Sequence, residues 1–272
     1  MVLAGEKISV IMSHDVDWPL RGPSRQHILQ RKDRYDDAVI KRVIEDNNYN
    51  PYFGVRDIME IEDKYGIRST FFFRPLYDDG SSVEEYRETI EKLLSAGWEV
   101  GVHINEADLL SSIEREKRAL EKVANRSMLG SRVHYLKIRQ DDLFLLEKAG
   151  IKYDSSVCFS KDKIDRRNTG FFAVGNLIVF PITIMDTYLF TYMHVPEEHV
   201  VDKVKDAIEL AGHGGIATLL WHDNSVNMKG GRMFKSVVDY LAGRDDVEVL
   251  RGIDAYEMVS NGQRLRADTP GR

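Results

Sequence analysis

The sequence is poor in several things that would each have narrowed its function. It has a single cysteine, Cys158, in 272 residues. One thiol closes no intrachain disulfide and builds no cysteine-based zinc cluster. No apolar run approaches the ~18 residues that span a bilayer. The opening MVLAGEKISV has no basic segment followed by a long apolar core, so it does not read as a signal peptide. A cytoplasmic protein is the expectation. A basic excess is also missing: 38 Lys and Arg stand against 44 Asp and Glu, a net charge of −6. That balance implies no general affinity for nucleic acid or for an anionic membrane. There is no internal repeat, no low-complexity segment and no glycine-rich phosphate loop after the first strand. The length fits one large domain or two small ones.

What is present centres on KISVIMSHDVD, residues 7–17. Ile8, Val10, Ile11 and Met12 form an apolar, β-branched run that reads as a buried strand. It ends in His14, Asp15, Val16 and Asp17. Charge at the end of a buried strand needs a partner. Strand alternation puts Asp15 and Asp17 on one side and Val16 on the other. Two carboxylates converging there suit a metal site, or a base beside a metal. The same residues also serve as turn or cap residues in ordinary loops.

Residues 18–53 are polar, and Pro19, Pro23 and Pro51 break any single long helix. They are expected to form an inserted loop with one or two short helices, beside the Asp15/Asp17 strand end. Beyond them strands and helices alternate. Strands are predicted at 69–74, 98–103, 132–138, 153–159, 177–184, 216–222 and 247–250. Helices are predicted at 55–65, 83–96, 112–124, 140–149, 196–211 and 233–242. Gly66, Gly97 and Gly150 stand where helices should stop. Such alternation predicts a parallel sheet covered by helices, a distorted (β/α) barrel of about seven strands in one domain over 1–272. A doubly wound open sheet is the alternative. In a barrel, chemistry collects at the C-terminal strand ends. Asp15 and Asp17, His103, and His222 with Asp223 end three predicted strands, and His134 lies within a fourth.

The motifs together resemble the polysaccharide deacetylase (NodB-like) family of carbohydrate esterases. SHDVD resembles its first motif, GWEVGVHINEADL its second, Arg132-Val133-His134-Tyr135 its third and Leu219-Leu220-Trp221-His222 its last. AGIKYDSSVCF and FPITIMDTYLF resemble the branch with His-Asp-x-Asp and Arg-x-His-Tyr motifs. The likeness runs from about Lys7 to Met258. It implies a distorted barrel that removes acetyl groups from N- or O-acetylated sugars with a divalent metal, commonly zinc. By the match, Asp15 is the base, Asp17 and His103 are metal ligands, Arg132 orients the base, the Tyr135 backbone N–H holds the oxyanion, and His222 is the acid. Two positions depart from the pattern. Ala107 stands where the family has a second histidine, and His134 where it has proline.

Catalytic zinc takes three protein ligands and an open position. His134 is therefore expected to be the third ligand, with Glu106 or Asp108 as the substitute. Asp223 is a possible partner orienting His222, and Trp18, Tyr77 and Trp221 are candidates for stacking on a sugar. The expected substrate is a small or lipid-linked acetylated carbohydrate. Two alternatives stay open: hydrolysis of a non-sugar amide on the same scaffold, and a non-catalytic carbohydrate-binding relative that has lost its metal.

Overall fold

The structure is a computed structural model and describes residues 7–267, with side chains as far as Gly262. Among these residues the strands are β1 (Ile8–Val16), β2 (Thr70–Phe73), β3 (Glu99–Ile104), β4 (Gly130–Val133), β5 (Tyr153–Asp154), β6 (Phe172–Val174), β7 (Leu177–Val179), β8 (Ile184–Met185), β9 (Ile216–Leu220) and β10 (Val247–Leu250). The helices are α1 (Arg25–Leu29), α2 (Asp37–Glu45), α3 (Val55–Asp63), α4 (Arg87–Ser95), α5 (Leu110–Ala124), α6 (Leu143–Lys148), α7 (Asp186–Thr191), α8 (Val200–Ala211), α9 (Phe234–Ala242) and α10 (Gly252–Ala267).

One sheet runs β6-β7-β5-β4-β3-β2-β1-β9-β8. Every pairing is parallel except the β6–β7 hairpin. β1 is its hub. One edge of β1 pairs with β9, while the other pairs with β10 along Ile8–Ile11 and with β2 along Ser13–Val16. The sheet therefore splays rather than closing evenly. A bridge from Thr169 to Ala217 and a bond from the Thr183 N–H to the Thr218 carbonyl bring the far side back to β9. The result is the expected distorted barrel, with ten strands rather than about seven.

Alternation of the parallel strands creates two cores. Val10, Met12, Phe71, Phe73, Val100, Val102, Leu219 and Trp221 face outward into the layer beneath the helices. Ile11, Phe72, Tyr153, Ile178, Phe180 and Ile216 face inward, packed with Ala255 and Val259 of α10. That helix and the β6–β7 hairpin are absent from the sequence reading. Phe72 pairs in register with Gly101 of β3, where a Cβ would lie 2.5 Å from its ring. Glycine is required there for the barrel to fill. Gly66, Gly97 and Gly150 take positive φ after α3, α4 and α6, as expected of helix-terminating glycines.

Several predicted strands are shorter than expected. The strand predicted at 132–138 ends at Val133, because His134–Leu136 form a 3-10 turn. Those predicted at 153–159 and 177–184 shrink to Tyr153–Asp154 and to two separate pieces. The 18–53 segment carries α1 and α2 and packs its own cluster of Ile28, Tyr35, Val43 and Tyr52 against Trp18 and Met228. No helix among the described residues is long and apolar enough to cross a membrane.

Candidate functional site

Parity explains which side chains meet. On β1, Asp15 shares the inward face of Ile11, and Asp17 continues it. His103 follows Gly101 by two residues and pairs in register with Arg132. His222 follows Leu220, which pairs with Ser13. Asp15, Asp17, His103, Arg132 and His222 therefore converge at the C-terminal end of the barrel. His134, two residues beyond Arg132, joins them from the 3-10 turn.

Asp17, His103 and His134 each offer a ligand atom, and these atoms lie within 4.8 Å of one another. Asp17 Oδ1 is 3.1 Å from His103 Nε2 and 3.7 Å from His134 Nε2. Ligands held ~2.0–2.2 Å from a tetrahedral ion lie about 3.4 Å apart, so the spacing fits a metal. The donor chemistry fits as well. His103 Nδ1 is 3.0 Å from the Arg132 carbonyl, which can only accept, so that nitrogen carries a proton. In the neutral ring Nε2 then presents its lone pair to Asp17, with Asp15 Oδ2 a further 3.6 Å contact. A lone pair facing carboxylate oxygens needs a proton or a cation between them. A histidine fixed by a backbone carbonyl behind it is the usual outer-shell arrangement of a metal ligand. Burial lowers the His134 imidazolium to about 4, with His103 and Arg74 adding to the effect against Asp17, so His134 stays neutral as a ligand must. Burial alone would raise the Asp17 carboxyl, but His103, His222 and His134 together hold it well below the ordinary carboxylate range.

Asp15 sits beside this group. Its Oδ1 accepts from Arg132 Nη1 at 2.9 Å. Arg132 is fully buried, donates also to the Ser155 carbonyl and Oγ, and lies 4.8 Å over the Phe72 ring. The guanidinium is thus held in one orientation, and so is the carboxylate it binds.

His222 approaches from β9, with Nε2 3.7 Å from Asp17 Oδ2. Its orienting partner is Asp186 at the start of α7, whose Oδ1 accepts from Nδ1 at 2.6 Å and whose Oδ2 accepts the His222 N–H at 3.0 Å. Burial alone would lower the imidazolium, but Asp186, aided by Asp17 and Asp15, raises it to about 10. Asp186 is missing from the sequence reading, although it too is an acid directly after a strand, β8. Asp186→Asn should lower the pKa of the His222 imidazolium, read by NMR titration of its ring protons, because the carboxylate that raises it is gone.

Four expectations are corrected. Asp223 does not orient His222: it is buried and accepts the Gly54 N–H at 3.2 Å. Trp221 cannot stack on a sugar. It falls on the outward parity of β9, is fully buried against Phe234 and donates Nε1–H to the Gly231 carbonyl. Tyr77 is likewise buried, packed against Tyr86. Glu106 points away and binds Arg115 and Ser112, and neither it nor Asp108 lines the site cavity. Ala107 belongs to the outer core, so a histidine there would have to displace packed side chains.

Two cavities open on the centre and meet at Asp17, His134 and Tyr135. One, of about 590 Å³, is lined by Trp18 and the first part of the 18–53 segment. Trp18 is half-buried, edge-on to His27 and Tyr52, and remains the accessible aromatic of the three proposed. The other, of about 580 Å³, holds Asp15, His103 and His222. Tyr135 stands between them, 69% exposed, its ring 3.9 Å from that of His134. Tyr135 and Leu136 both take left-handed φ, 58° and 55°. Non-glycine residues hold that conformation at a cost of about 1–3 kcal/mol each, typically at functional sites.

The fold is that of the polysaccharide deacetylases. A structure described as a polysaccharide deacetylase from Mycobacterium smegmatis superposes with a TM-score of 0.67 at 19% identity, covering 100% of this chain and 95% of its own. One so described from Pseudomonas aeruginosa PAO1 gives 0.63 at 14%, covering 93% and 90%. A CE4 family pseudoenzyme from Bacillus anthracis gives 0.54 at 13%, covering 92% and 66%. No family model and no curated protein matches the chain.

Proposed function

We propose that this protein is a metal-dependent hydrolase that removes an acetyl or similar acyl group from an N- or O-acetylated sugar or sugar-linked intermediate. The observation that carries the reading is the convergence of an Asp–His–His donor set, an arginine-held carboxylate and an aspartate-held imidazole on one cavity. The fold neighbours are consistent with it but do not decide activity, since one of them is described as a pseudoenzyme.

Asp17, His103 and His134 would hold a divalent ion, zinc by the match of its donors. Bound there, such an ion supplies Lewis acidity to the acyl carbonyl and to water. Asp15 takes the proton from the attacking water, with Arg132 holding its carboxylate in place. The Tyr135 backbone N–H supports the oxyanion. His222, oriented by Asp186, gives a proton to the departing amine or alcohol. Trp18 offers an apolar face to the sugar beyond the reacting group.

The test is acetate release by zinc-loaded protein from a panel of N- and O-acetylated mono- and oligosaccharides, followed by NMR. Release that stops on chelation and returns with zinc is the expected result. No release from any member, or release indifferent to chelation, would overturn the reading.

A further inference from the structure

The cavity that holds Asp15, His103 and His222 has an uneven charge distribution. Its only acidic side chains among the described residues are Asp15 and Asp17. Asp15 is paired with Arg132, and Asp17 lies among His103, His134 and His222. The rest of the wall carries Arg34, Lys137 and Lys161 with no further carboxylate. These cations come from three separate loops: the 18–53 segment, the turn after β4 and the segment after β5. In a chain with more acids than bases, that gathering runs against composition.

Among the described residues none of the three forms a salt bridge with a carboxylate, whereas Arg21, Arg74, Arg167 and Arg232 do. Lys137 Nζ lies 5.0 Å from the Tyr135 ring, and Lys161 Nζ 5.5 and 5.9 Å from Tyr188 and Tyr192. All three rings line the same cavity. Cation–π contact thus holds both ammonium groups along its wall while leaving their charge unmatched. The adjoining cavity differs: its Arg21 and Arg74 are paired with Asp79 and Asp78. The positive charge belongs to one side of the centre only.

We propose that the substrate carries an anionic group, phosphate or carboxylate, on the part lodged in this cavity, where Arg34, Lys137 and Lys161 receive it. The neutral lobe beside Trp18 takes the opposite end, with the acyl group at Asp17 between them. The cavity volume of about 580 Å³ accommodates a sugar unit with such a substituent. This inference rests on the acyl-sugar hydrolase reading and narrows its substrate class.

The test uses zinc-loaded protein and four probes: N-acetylglucosamine, its 1-phosphate, its 6-phosphate and N-acetylmuramic acid. Ligand-observed NMR gives each affinity and reports acetate appearing in the same tube. A phosphate or carboxylate probe should bind at least ~10-fold more tightly than the neutral sugar at low salt. That ratio should collapse in 0.5 M salt, which reduces the screening length to about 4 Å. It should collapse likewise in the R34Q/K137Q/K161Q variant. The phosphate and carboxylate arms separate the two kinds of anion. If the triple variant does not fold, K161Q alone together with the wild-type salt dependence decides. No preference for any anionic probe, including no binding at all, overturns the inference. A preference that survives in the variant overturns the assignment to these residues. A preference without acetate from any probe leaves the anion site standing, and the hydrolase reading is then decided by the full N- and O-acetylated panel. Acetate from all probes with equal affinity leaves the hydrolase reading standing and removes the anion site.

Discussion

His134→Ala is expected to lose bound metal and acyl hydrolysis together. Elemental analysis of the purified variant should find the divalent ion gone, and turnover should fall by more than the ~10–100-fold typical of losing an outer-shell partner. The physical ground is the donor count. Asp17 and His103 provide two atoms, His134 brings the third, and no other His, Cys, Asp or Glu among the described residues completes a group with them. His134 reaches the site because the chain leaves β4 at Val133 and turns through Tyr135 and Leu136 at positive φ. Zinc bound by the variant as tightly as by the wild type would remove His134 from the ligand set. The sequence-level substitutes Glu106 and Asp108 would not fill the gap without rebuilding their loop, since Glu106 is already engaged with Arg115.

Asp15→Asn should lower turnover by ~10² to 10⁴, the range for loss of a positioned general base. It should also reduce stability. Asp15 is the carboxylate partner of Arg132, whose side chain is entirely buried. Removing one member of a buried ion pair commonly costs about 3–5 kcal/mol because the other charge is left uncompensated. Asparagine still offers an oxygen to Arg132, so the loss should fall at the lower end of that range. Denaturant unfolding and kinetics measured well below the transition separate the two effects. Activity near wild type in the folded variant would remove Asp15 as the base. Unchanged stability would show that Arg132 finds its compensation elsewhere, with the Ser155 carbonyl and hydroxyl as the nearest acceptors.

How far the site could be read from the chain is clearest at β1 and β9. In β1 the apolar run followed by Asp15 and Asp17 identifies a buried strand with acids at its end. The two-residue period then predicts that both acids share the face of Ile11. The same period, applied to Leu220, Trp221 and His222, puts Trp221 on the opposite face from His222. The expectation that Trp221 stacks on a sugar conflicts with that period. Neighbours in a strand point apart, and the buried position against Phe234 is the consequence. Asp186 is legible by the same rule, as the acid that follows the short strand β8, but the strand predicted at 177–184 stops two residues before it.

Local sequence determined the alternation of strands and helices, the glycine stops and the parity of each strand, since these depend on neighbours within a few residues. It also placed acids and histidines at strand ends, and with them the class of fold. Tertiary structure decided which strand ends meet. It chose Asp186 over Asp223 as the partner of His222, because β8 lies beside β9 while Asp223 turns back toward Gly54. It ended β4 early, so that His134 reaches the centre from a turn. It also drew Arg34, Lys137 and Lys161 from distant loops onto one wall. Contacts between residues about a hundred positions apart depend on the curvature of the whole sheet, and no local pattern encodes that curvature.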